Sequence, residues 1–335
     1  MLRPRMSKVV ASLAAVLAAI ALTGCGGGGA EPGAPQRATI VLDFTPNAVH
    51  SGIYTALSRG YYSDAGVDLQ VRQPSASTDA PKLLQAGRTD FAILDIHDLG
   101  IARENGLDVV GVTPLVQRPL AAVIARADGP VTRPRDLQGR HVGVTGLPSD
   151  DAVVDSEVSA DGGDPAKVDR VTIGFNAVAD LAAGKVDAAT GFWNAEAVAL
   201  QRQGVPVRTF RVDRYGAPPY PELVLSTTRE LLHSDPGLVR AVAGATIRGY
   251  QAALRDPQAA LDDLLAANPD LDRGEQQAEM RVLLPAFAPP GRLDKDVLEA
   301  WSRWDAAHGI LERPIDVDRA FDLPLLASGG GQAKR

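Results

Sequence analysis

The stretch Leu84-Gln-Ala-Gly87-Arg-Thr-Asp90-Phe-Ala92 recurs 97 residues later as Leu181-Ala-Ala-Gly184-Lys-Val-Asp187-Ala-Ala189. The copies share leucine, alanine, glycine, aspartate and alanine at matching positions. Each copy predicts the end of a helix, a glycine past that end, a tight turn and a buried strand. Because this succession is common in α/β proteins, the repeat favours two similar lobes without proving them.

Short runs of β-forming residues alternate with helical patterns on both sides of the repeat. Strands are predicted at residues 39–42, 67–71, 91–94, 109–112, 121–125, 141–145, 168–173, 186–189, 207–212 and 223–227, and helices beyond residue 228. Strands separated by helices predict parallel sheets covered on both faces. The expected fold is therefore α/β, with two doubly wound lobes and a ligand cleft at the carboxyl ends of their strands.

The predicted lobes are discontinuous along the chain. We expect lobe 1 to comprise residues 38–120 plus 223–327 and lobe 2 to comprise residues 126–214, with two hinge crossings between them. Residues 25–37 are rich in glycine and proline and predict a flexible tether. Residues 328–335 predict a disordered tail.

The amino terminus has the pattern of a secretion signal. Arg3, Arg5 and Lys8 precede an apolar run at residues 9–22 that is too short to span a bilayer unaided. The run ends in Leu-Thr-Gly-Cys25, which resembles the bacterial lipoprotein pattern, and residues 1–24 are the predicted signal peptide. Cys25, the only cysteine, would be lipidated and would anchor the chain at the outer face of the cytoplasmic membrane, in a periplasm or a cell-wall zone. The alternative is an ordinary signal peptide with an incidental cysteine.

Composition excludes several classes of function. Without residues 1–24 the chain has 31 basic and 41 acidic side chains, and this negative balance disfavours a nucleic-acid partner. A single cysteine allows no intrachain disulfide and no cysteine-based metal site. The five histidines show no HExxH spacing, so we expect neither a dedicated zinc or iron site nor a cofactor. No nucleophile with its base and no acid/base pair of carboxylates is evident, and the prediction is a protein that is not an enzyme.

Three segments at predicted strand ends supply candidate ligand contacts. The first follows the first strand and includes Asp43, Asn47, His50 and Tyr54; Asn47 serves equally well as a helix cap or as a ligand contact. His50 and Tyr54 lie four residues apart and share a helical face.

The second segment, with Trp193 and Asn194, follows the strand of the second repeat copy. Trp193 is suited to stacking on a flat ligand, and the alternative is a tryptophan that covers the sheet end. The third segment holds Tyr220 and Glu222 behind three prolines that stiffen the return to the first lobe. Glu222 is either an acceptor for a ligand amino group or a solvated charge.

The segment Gly143-Val-Thr-Gly146-Leu-Pro-Ser149-Asp150 lacks the lysine of a phosphate-binding loop. We interpret it as a strand, a cleft loop and a helix cap supplied by Ser149 or Asp150.

As an ordered set, these residues resemble a known family. The set consists of Val41-Leu-Asp-Phe-Thr-Pro-Asn-Ala-Val-His50, Gly52-Ile-Tyr54, Gly60-Tyr-Tyr, Gly66-Val-Asp-Leu, Pro74-Ser75, Leu115-Val-Gln117, Gly174-Phe-Asn176, Trp193-Asn194-Ala-Glu196 and Tyr215-Gly-Ala-Pro-Pro-Tyr220-Pro-Glu222. It resembles substrate-binding proteins of ABC importers in the thiamine-pyrimidine-precursor group, over about residues 39 to 230.

The resemblance implies a type II-like periplasmic-binding-protein fold that closes on a small heteroaromatic solute. It implies a monomer that delivers an aminopyrimidine to a permease driven by a separate ATPase. Aromatic side chains would sandwich the ring, and Asn and Glu side chains would orient it. The family's contacts carry over to Asn47, Tyr54, Trp193, Tyr220 and Glu222, and further to Asp43, His50, Asn176 and Asn194.

Close relatives of this group take up riboflavin, and more distant ones bind sulfonates, nitrate or bicarbonate; these solutes stay open as alternatives. The expected site contains two carboxylates and no Arg or Lys, which favours a neutral or weakly basic ring over a small anion. A related branch comprises enzymes that make the thiamine pyrimidine. Such an enzyme would keep a cysteine-rich motif, whereas the one cysteine here belongs to the signal.

Overall fold

A computed structural model describes residues 34–75 and 79–323 of the chain. The described strands are β1 (Gln36–Val41), β2 (Val67–Arg72), β3 (Phe91–Asp95), β4 (Val109–Pro114), β5 (Ala121–Arg126), β6 (His141–Val144), β7 (Asp169–Thr172), β8 (Ala188–Phe192), β9 (Val207–Arg211) and β10 (Leu223–Thr228). The α-helices are α1 (Ser51–Ser58), α2 (Tyr61–Asp64), α3 (Asp79–Gln85), α4 (Ile96–Glu104), α5 (Pro148–Ala160), α6 (Ala177–Ala182), α7 (Glu196–Arg202), α8 (Arg229–Ser234), α9 (Pro236–Arg255), α10 (Pro257–Ala267), α11 (Arg273–Leu283), α12 (Lys295–Ala307) and α13 (Val317–Ala320). Short 3-10 helices occur at Ala48–His50, Pro134–Leu137, Pro165–Lys167, Val212–Arg214 and Leu284–Ala286.

The strands form two five-stranded sheets with the same plan. The first has the order β2-β1-β3-β10-β4 and the second the order β7-β6-β8-β5-β9. In each sheet the middle strand, β3 or β8, follows a repeat copy: a helix ends, Gly87 or Gly184 takes a positive φ, and the strand begins. A left-handed turn of this kind favours glycine because a Cβ would be strained there. The predicted α/β fold with two related sheets is confirmed.

The sheets are mixed, however, and the prediction of parallel strands is right only for β1 with β2 and β3 and for β6 with β7 and β8. β10 runs antiparallel to β3 and β4 in the first sheet, and β5 runs antiparallel to β8 and β9 in the second. Both of these strands follow a segment that crosses from the other sheet, so each enters its sheet from the opposite end.

The two crossings lie side by side. The outgoing crossing, residues 115–120, leads from β4 to the second sheet, and the return crossing, residues 212–222, leads from β9 back to β10. Leu115 N donates to Leu223 O at 2.8 Å. The first sheet uses residues 36–114 and 223–228, and the second uses residues 121–211. β1 begins inside the predicted tether, and β5 begins before the predicted start of lobe 2 at residue 126; the lobe boundaries stay a prediction.

Close packing of α1 on α9 holds the loop after β1 in place. A Cβ on Gly249 would lie 1.9 Å from Gly52 O, and a Cβ on Gly52 would lie 2.4 Å from the Tyr250 ring. Tyr250 OH donates to Val49 O at 2.6 Å. The two glycines therefore let α9 anchor the 3-10 helix that starts the first candidate segment.

No described helix has the length and apolarity needed to cross a bilayer. The predicted signal peptide, Cys25 and the predicted tail lie outside the described residues.

Candidate functional site

A cavity of about 150 Å³ lies between the two sheets. Its lining includes Asp43 after β1 and Asp95 at the end of β3, together with Thr145 after β6 and Asn194 after β8. All four follow the carboxyl ends of strands, where ligands bind in open α/β sheets. One water needs only roughly 10–15 Å³ on the same measure, so the cavity has room for a small molecule. We call this cavity the cleft.

The polar lining of the cleft is acidic. The carboxyl groups of Asp43, Asp95, Asp98, Asp150, Glu196 and Glu222 line it, and the described lining contains no Lys or Arg. Burial raises the pKa of Asp98 to about 7, and the charge of Asp95 adds to the shift. Burial also raises the pKa of Glu196, whose Oε2 accepts from Phe192 N at 2.7 Å. The cleft thus offers hydrogen-bond acceptors, and its described lining contains no Lys or Arg to bind an anionic ligand.

Aromatic side chains from both sheets meet across the cleft. The Phe44 and Phe175 rings pack edge to face, with centroids 5.1 Å apart and an interplanar angle of 71°. Phe175 is 53% exposed, which is unusual for a large apolar side chain in this protein. Phe192 at the end of β8 also lines the cleft. These phenylalanines form the flat apolar part of the lining.

Glu222 connects the cleft to the outgoing crossing. Its Oε2 accepts from the backbone N–H groups of Leu120 and Ala121, the second at 3.3 Å. Its Oε1 has no hydrogen-bond donor among the described residues. The side chain is 1% exposed and lines the cleft, so Oε1 is an acceptor available to a ligand.

Asp95 and Glu222 form a close carboxyl pair. Burial raises the pKa of Asp95 well above its ordinary value, and the charge of Glu222 raises it further. Burial also raises the pKa of Glu222, although the charge of His97 and the backbone donors of the crossing oppose this. One oxygen of each carboxyl lies within 4.8 Å of the other, and two carboxyls this close share a proton.

His97 lies beside this pair at the start of α4. Its Nδ1 is 2.9 Å from Asp305 Oδ2 and 3.2 Å from Trp301 Nε1. Burial lowers the pKa of His97, but the charges of Asp305, Asp95 and Glu222 outweigh burial and raise it to about 10. A protonated Nδ1 donates to Asp305 and cannot accept from Trp301, so the Asp305 bond is the one that orients the ring. His97 Nε2 has no partner among the described residues.

Five of the nine predicted contacts lie in or directly behind the cleft wall. Asp43, Asn47, Asn194 and Glu222 line the cleft. Asn47 also caps the 3-10 helix, since its Oδ1 accepts from Val49 N at 2.9 Å. His50 is fully buried and bonds Asp43 Oδ1 through Nε2 at 2.9 Å, so it orients Asp43. Asn194 is 1% exposed, and its Oδ1 has no partner among the described residues.

The other four predicted contacts are not part of the described lining. Tyr54 is buried within α1, and the Asn176 side chain donates to Ile173 O at 2.9 Å. Trp193 Nε1 donates to Pro119 O at 3.0 Å, and the Arg211 guanidinium lies 4.2 Å from the Trp193 ring centroid. Tyr220 is fully buried, with its ring edge on to His97 at 5.0 Å. The expected sandwich by Trp193 and the tyrosines stays a prediction, and the aromatic side chains of the described lining are phenylalanines and His97.

The loop after β6 lines the cleft as predicted, but its capping is different. α5 begins at Pro148, and Leu147 at the cap position makes no side-chain cap. Asp150 instead accepts from Thr145 N at 2.7 Å and from the Thr145 hydroxyl. The expected cap by Ser149 or Asp150 is wrong, because the helix already begins at Pro148 and both residues lie inside its first turn.

Sequence reasoning missed Asp95, His97 and Phe175. Asp95-Ile-His97-Asp98 follows the strand of the first repeat copy, just as Trp193-Asn194 follows that of the second. The position after the repeated strand is therefore the signal that could have identified Asp95 and His97. Phe175 is adjacent to the candidate Asn176 and carried no polar signal of its own.

Comparison with known proteins places this geometry in a family. The chain matches the family described as NMT1/THI5 like over residues 47–260. It is 30% identical over 295 residues to the formylaminopyrimidine-binding protein of Halalkalibacterium halodurans, covering 85% of this chain and 89% of that protein. It is 26% identical over 319 residues to the riboflavin-binding protein RibY of Chloroflexus aurantiacus, covering 88% and 87%. Other relatives are named as 4-amino-5-hydroxymethyl-2-methylpyrimidine phosphate synthases.

Among solved structures, the periplasmic aliphatic sulphonate binding protein SsuA of Escherichia coli aligns with a TM-score of 0.70. The alignment covers 85% of this chain and 92% of that one, and at 14% identity it shows a shared fold and nothing about function. The fold is thus that of a periplasmic binding protein, as the sequence predicted. On the family match and the 30% identical relative together, this chain belongs to the NMT1/THI5-like family.

Proposed function

We propose that this protein is the solute-binding component of an ABC importer and that its solute is a thiamine pyrimidine precursor, an aminopyrimidine or its formylated form. The observation that carries the proposal is the cleft itself, with buried carboxyls, phenylalanine rings and no described Lys or Arg in its lining. The 30% identical relative, named as a formylaminopyrimidine-binding protein, supports the choice of solute.

The chemistry of an aminopyrimidine suits this lining. Its amino group donates two hydrogen bonds, and Glu222 Oε1 and Asn194 Oδ1 are buried acceptors without partners among the described residues. Its flat ring suits the faces and edges of Phe44 and Phe175. Sulfonate or nitrate would bring negative charge beside several carboxyls, which is unfavourable in a buried site. Riboflavin stays the second candidate among neutral heteroaromatic solutes, since a relative is named for binding it.

In this proposal Asp43, Asn47, Asn194 and Glu222 contact the solute. His50 positions Asp43, while Tyr54, Trp193, Tyr220 and Asn176 support the wall behind the contacts. Because the lining comes from both sheets, a bound solute favours the arrangement in which both sets of contacts are made. That is the property a delivery protein needs.

Location and partners follow from the same proposal. Cys25 would carry the lipid that anchors a monomer at the outer face of the cytoplasmic membrane, where it delivers solute to the permease and its separate ATPase. We propose binding without turnover, because the single cysteine of this chain cannot supply the cysteine-rich motif expected of the synthase branch.

Isothermal titration calorimetry of the purified chain tests the proposal. We expect one site for formylaminopyrimidine or the aminopyrimidine, weaker or no binding of riboflavin, and none of an alkanesulfonate or nitrate. Mass spectrometry of the recovered solute should find it unchanged. Heat with the sulfonate or nitrate alone would refute the pyrimidine assignment, and a converted solute would refute the binding-only role.

A further inference from the structure

Three ligand-type side chains converge at the base of the cleft. One carboxylate oxygen each from Asp95 and Glu222 and one imidazole nitrogen of His97 all lie within 4.8 Å of one another. His97 and Glu222 are each 1% exposed, and all three residues line the cleft. We propose that Asp95, His97 and Glu222 form a binding site for a divalent transition-metal ion, with Zn²⁺ as the probe ion.

The histidine is prepared for this role by Asp305. A metal-binding histidine usually donates its other ring N–H to a carboxylate, which fixes the ring and increases its basicity. Asp305 Oδ2 holds His97 Nδ1 at 2.9 Å from within α12. This leaves Nε2, a buried nitrogen with no partner among the described residues, as the metal-binding atom, and the metal would displace the Nε2 proton to the solvent.

In Asp95 and in Glu222, backbone N–H groups bind one carboxylate oxygen and hold the side chain in place. Asp95 Oδ1 accepts from His97 N at 2.8 Å as the cap of α4, and Glu222 Oε2 accepts from the outgoing crossing. Glu222 Oε1 has no donor among the described residues. A dication would displace the proton that Asp95 and Glu222 share and would compensate both carboxylates, since the described lining contains no Lys or Arg.

One imidazole and two carboxylates suit zinc, manganese or iron better than calcium, which prefers oxygen ligands alone. Three protein ligands leave an open coordination position, and here it would face the cleft. In a tetrahedral site with Zn–ligand bonds of about 2.1 Å, ligand atoms lie roughly 3.4 Å apart, so atoms that now lie within 4.8 Å of one another need to close by up to about 1.4 Å.

Sequence spacing could not reveal this site. Its ligands come from the end of β3, the first turn of α4 and the return crossing, and only the fold brings the last of these beside the others. The metal site shares Glu222 with the proposed solute contacts, but its test uses the metal alone and does not require that the solute be known.

The test is metal titration of the purified full-length chain, made without a histidine tag and stripped with a chelator. Calorimetry should show one Zn²⁺ per chain, and Co²⁺ should give the visible absorption of a low-symmetry site. His97→Gln should weaken Zn²⁺ binding at least 100-fold. Asp305→Asn, which removes no ligand, should weaken it roughly 10- to 100-fold.

His141→Gln is the matched control. His141 also pairs with a carboxylate, at 2.6 Å from Asp169 Oδ2, but both side chains are more than half exposed on the surface. It should bind Zn²⁺ like the parent. Near-UV circular dichroism establishes that each variant is folded, and the parent titration with Asp305→Asn decides the matter if His97→Gln does not fold. Absence of a stoichiometric site in the parent, or equal affinity in Asp305→Asn and the parent, would overturn the proposal.

Discussion

Replacing Phe175 with alanine should weaken pyrimidine binding without unfolding the protein. Phe175 is 53% exposed and touches the rest of the lining through the Phe44 ring, 5.1 Å away between centroids. Stacking of a base on an aromatic side chain contributes about 1–3 kcal/mol, and each 1.4 kcal/mol is tenfold in affinity. The expected loss is therefore roughly 5- to 150-fold in Kd.

The cost to folding should be much smaller. A half-exposed ring removes little apolar area from water, and the edge-to-face pair with Phe44 contributes only about 0.5–1.5 kcal/mol. Urea denaturation of the parent and of Phe175→Ala should therefore differ by about that amount.

Two further variants separate stacking from simple apolar contact. Phe175→Tyr keeps the ring and should retain affinity, whereas Phe175→Leu keeps apolar area without the ring and should fall close to the alanine variant. Val171→Ala is the control, because Val171 is also exposed on the second sheet but does not line the cleft. Calorimetric Kd values for Phe175→Ala within twofold of the parent would show that the ring does not stack on the solute.

Three other predictions concern Glu222 in the cleft, the buried Glu279 and the contact between α1 and α9. In chelator-treated protein, Glu222→Gln should raise the Kd for the pyrimidine roughly tenfold or more, as expected for a lost charge-assisted bond, while Glu157→Gln, at a buried glutamate outside the described lining, should not. Burial raises the pKa of Glu279 from 4.5 to about 8, so the folded state keeps a proton that the unfolded state loses, and the free energy of unfolding falls as the pH rises from about 4.5 to 8. The fall should be roughly 1.4 kcal/mol per unit of the pKa shift. Urea denaturation at pH 5 and 9 should show this fall in the parent and not in Glu279→Gln. Gly249→Ala should destabilise the protein by about 1–3 kcal/mol through overpacking, whereas Gly244→Ala on the same helix, with open space around it, should stabilise it.

The repeat predicted the fold because its signals are local. A helix end, a positive-φ glycine and a buried strand are all specified by neighbouring residues, and Gly87 and Gly184 serve equivalent turns before the middle strands. Strand direction is not local in this way. β5 and β10 have the same apolar character as their neighbours, and only the path of the crossings makes them antiparallel.

The site was predicted less completely because side-chain direction depends on packing. Trp193 lies at a strand end, as a stacking residue would, yet its indole N–H bonds Pro119 O on the outgoing crossing. The Tyr220 ring likewise lies against His97 inside the protein. Polar residues near the first strand were easier to identify, since Asp43 and Asn47 are held by local bonds to His50 and Val49.

Glu222 gives a physical reason why binding and closure would be linked. Its backbone O accepts from Ile96 N at 2.9 Å, and its side chain accepts from the backbone of the outgoing crossing, so this residue on the return crossing joins the first sheet to the other crossing. The same carboxyl presents its second oxygen to the cleft. Any ligand that binds this oxygen therefore contacts the same carboxyl group that the crossing donors hold. A solute can shift the closing equilibrium only through contacts that differ between the open and closed states, and Glu222 is placed where such a difference would arise.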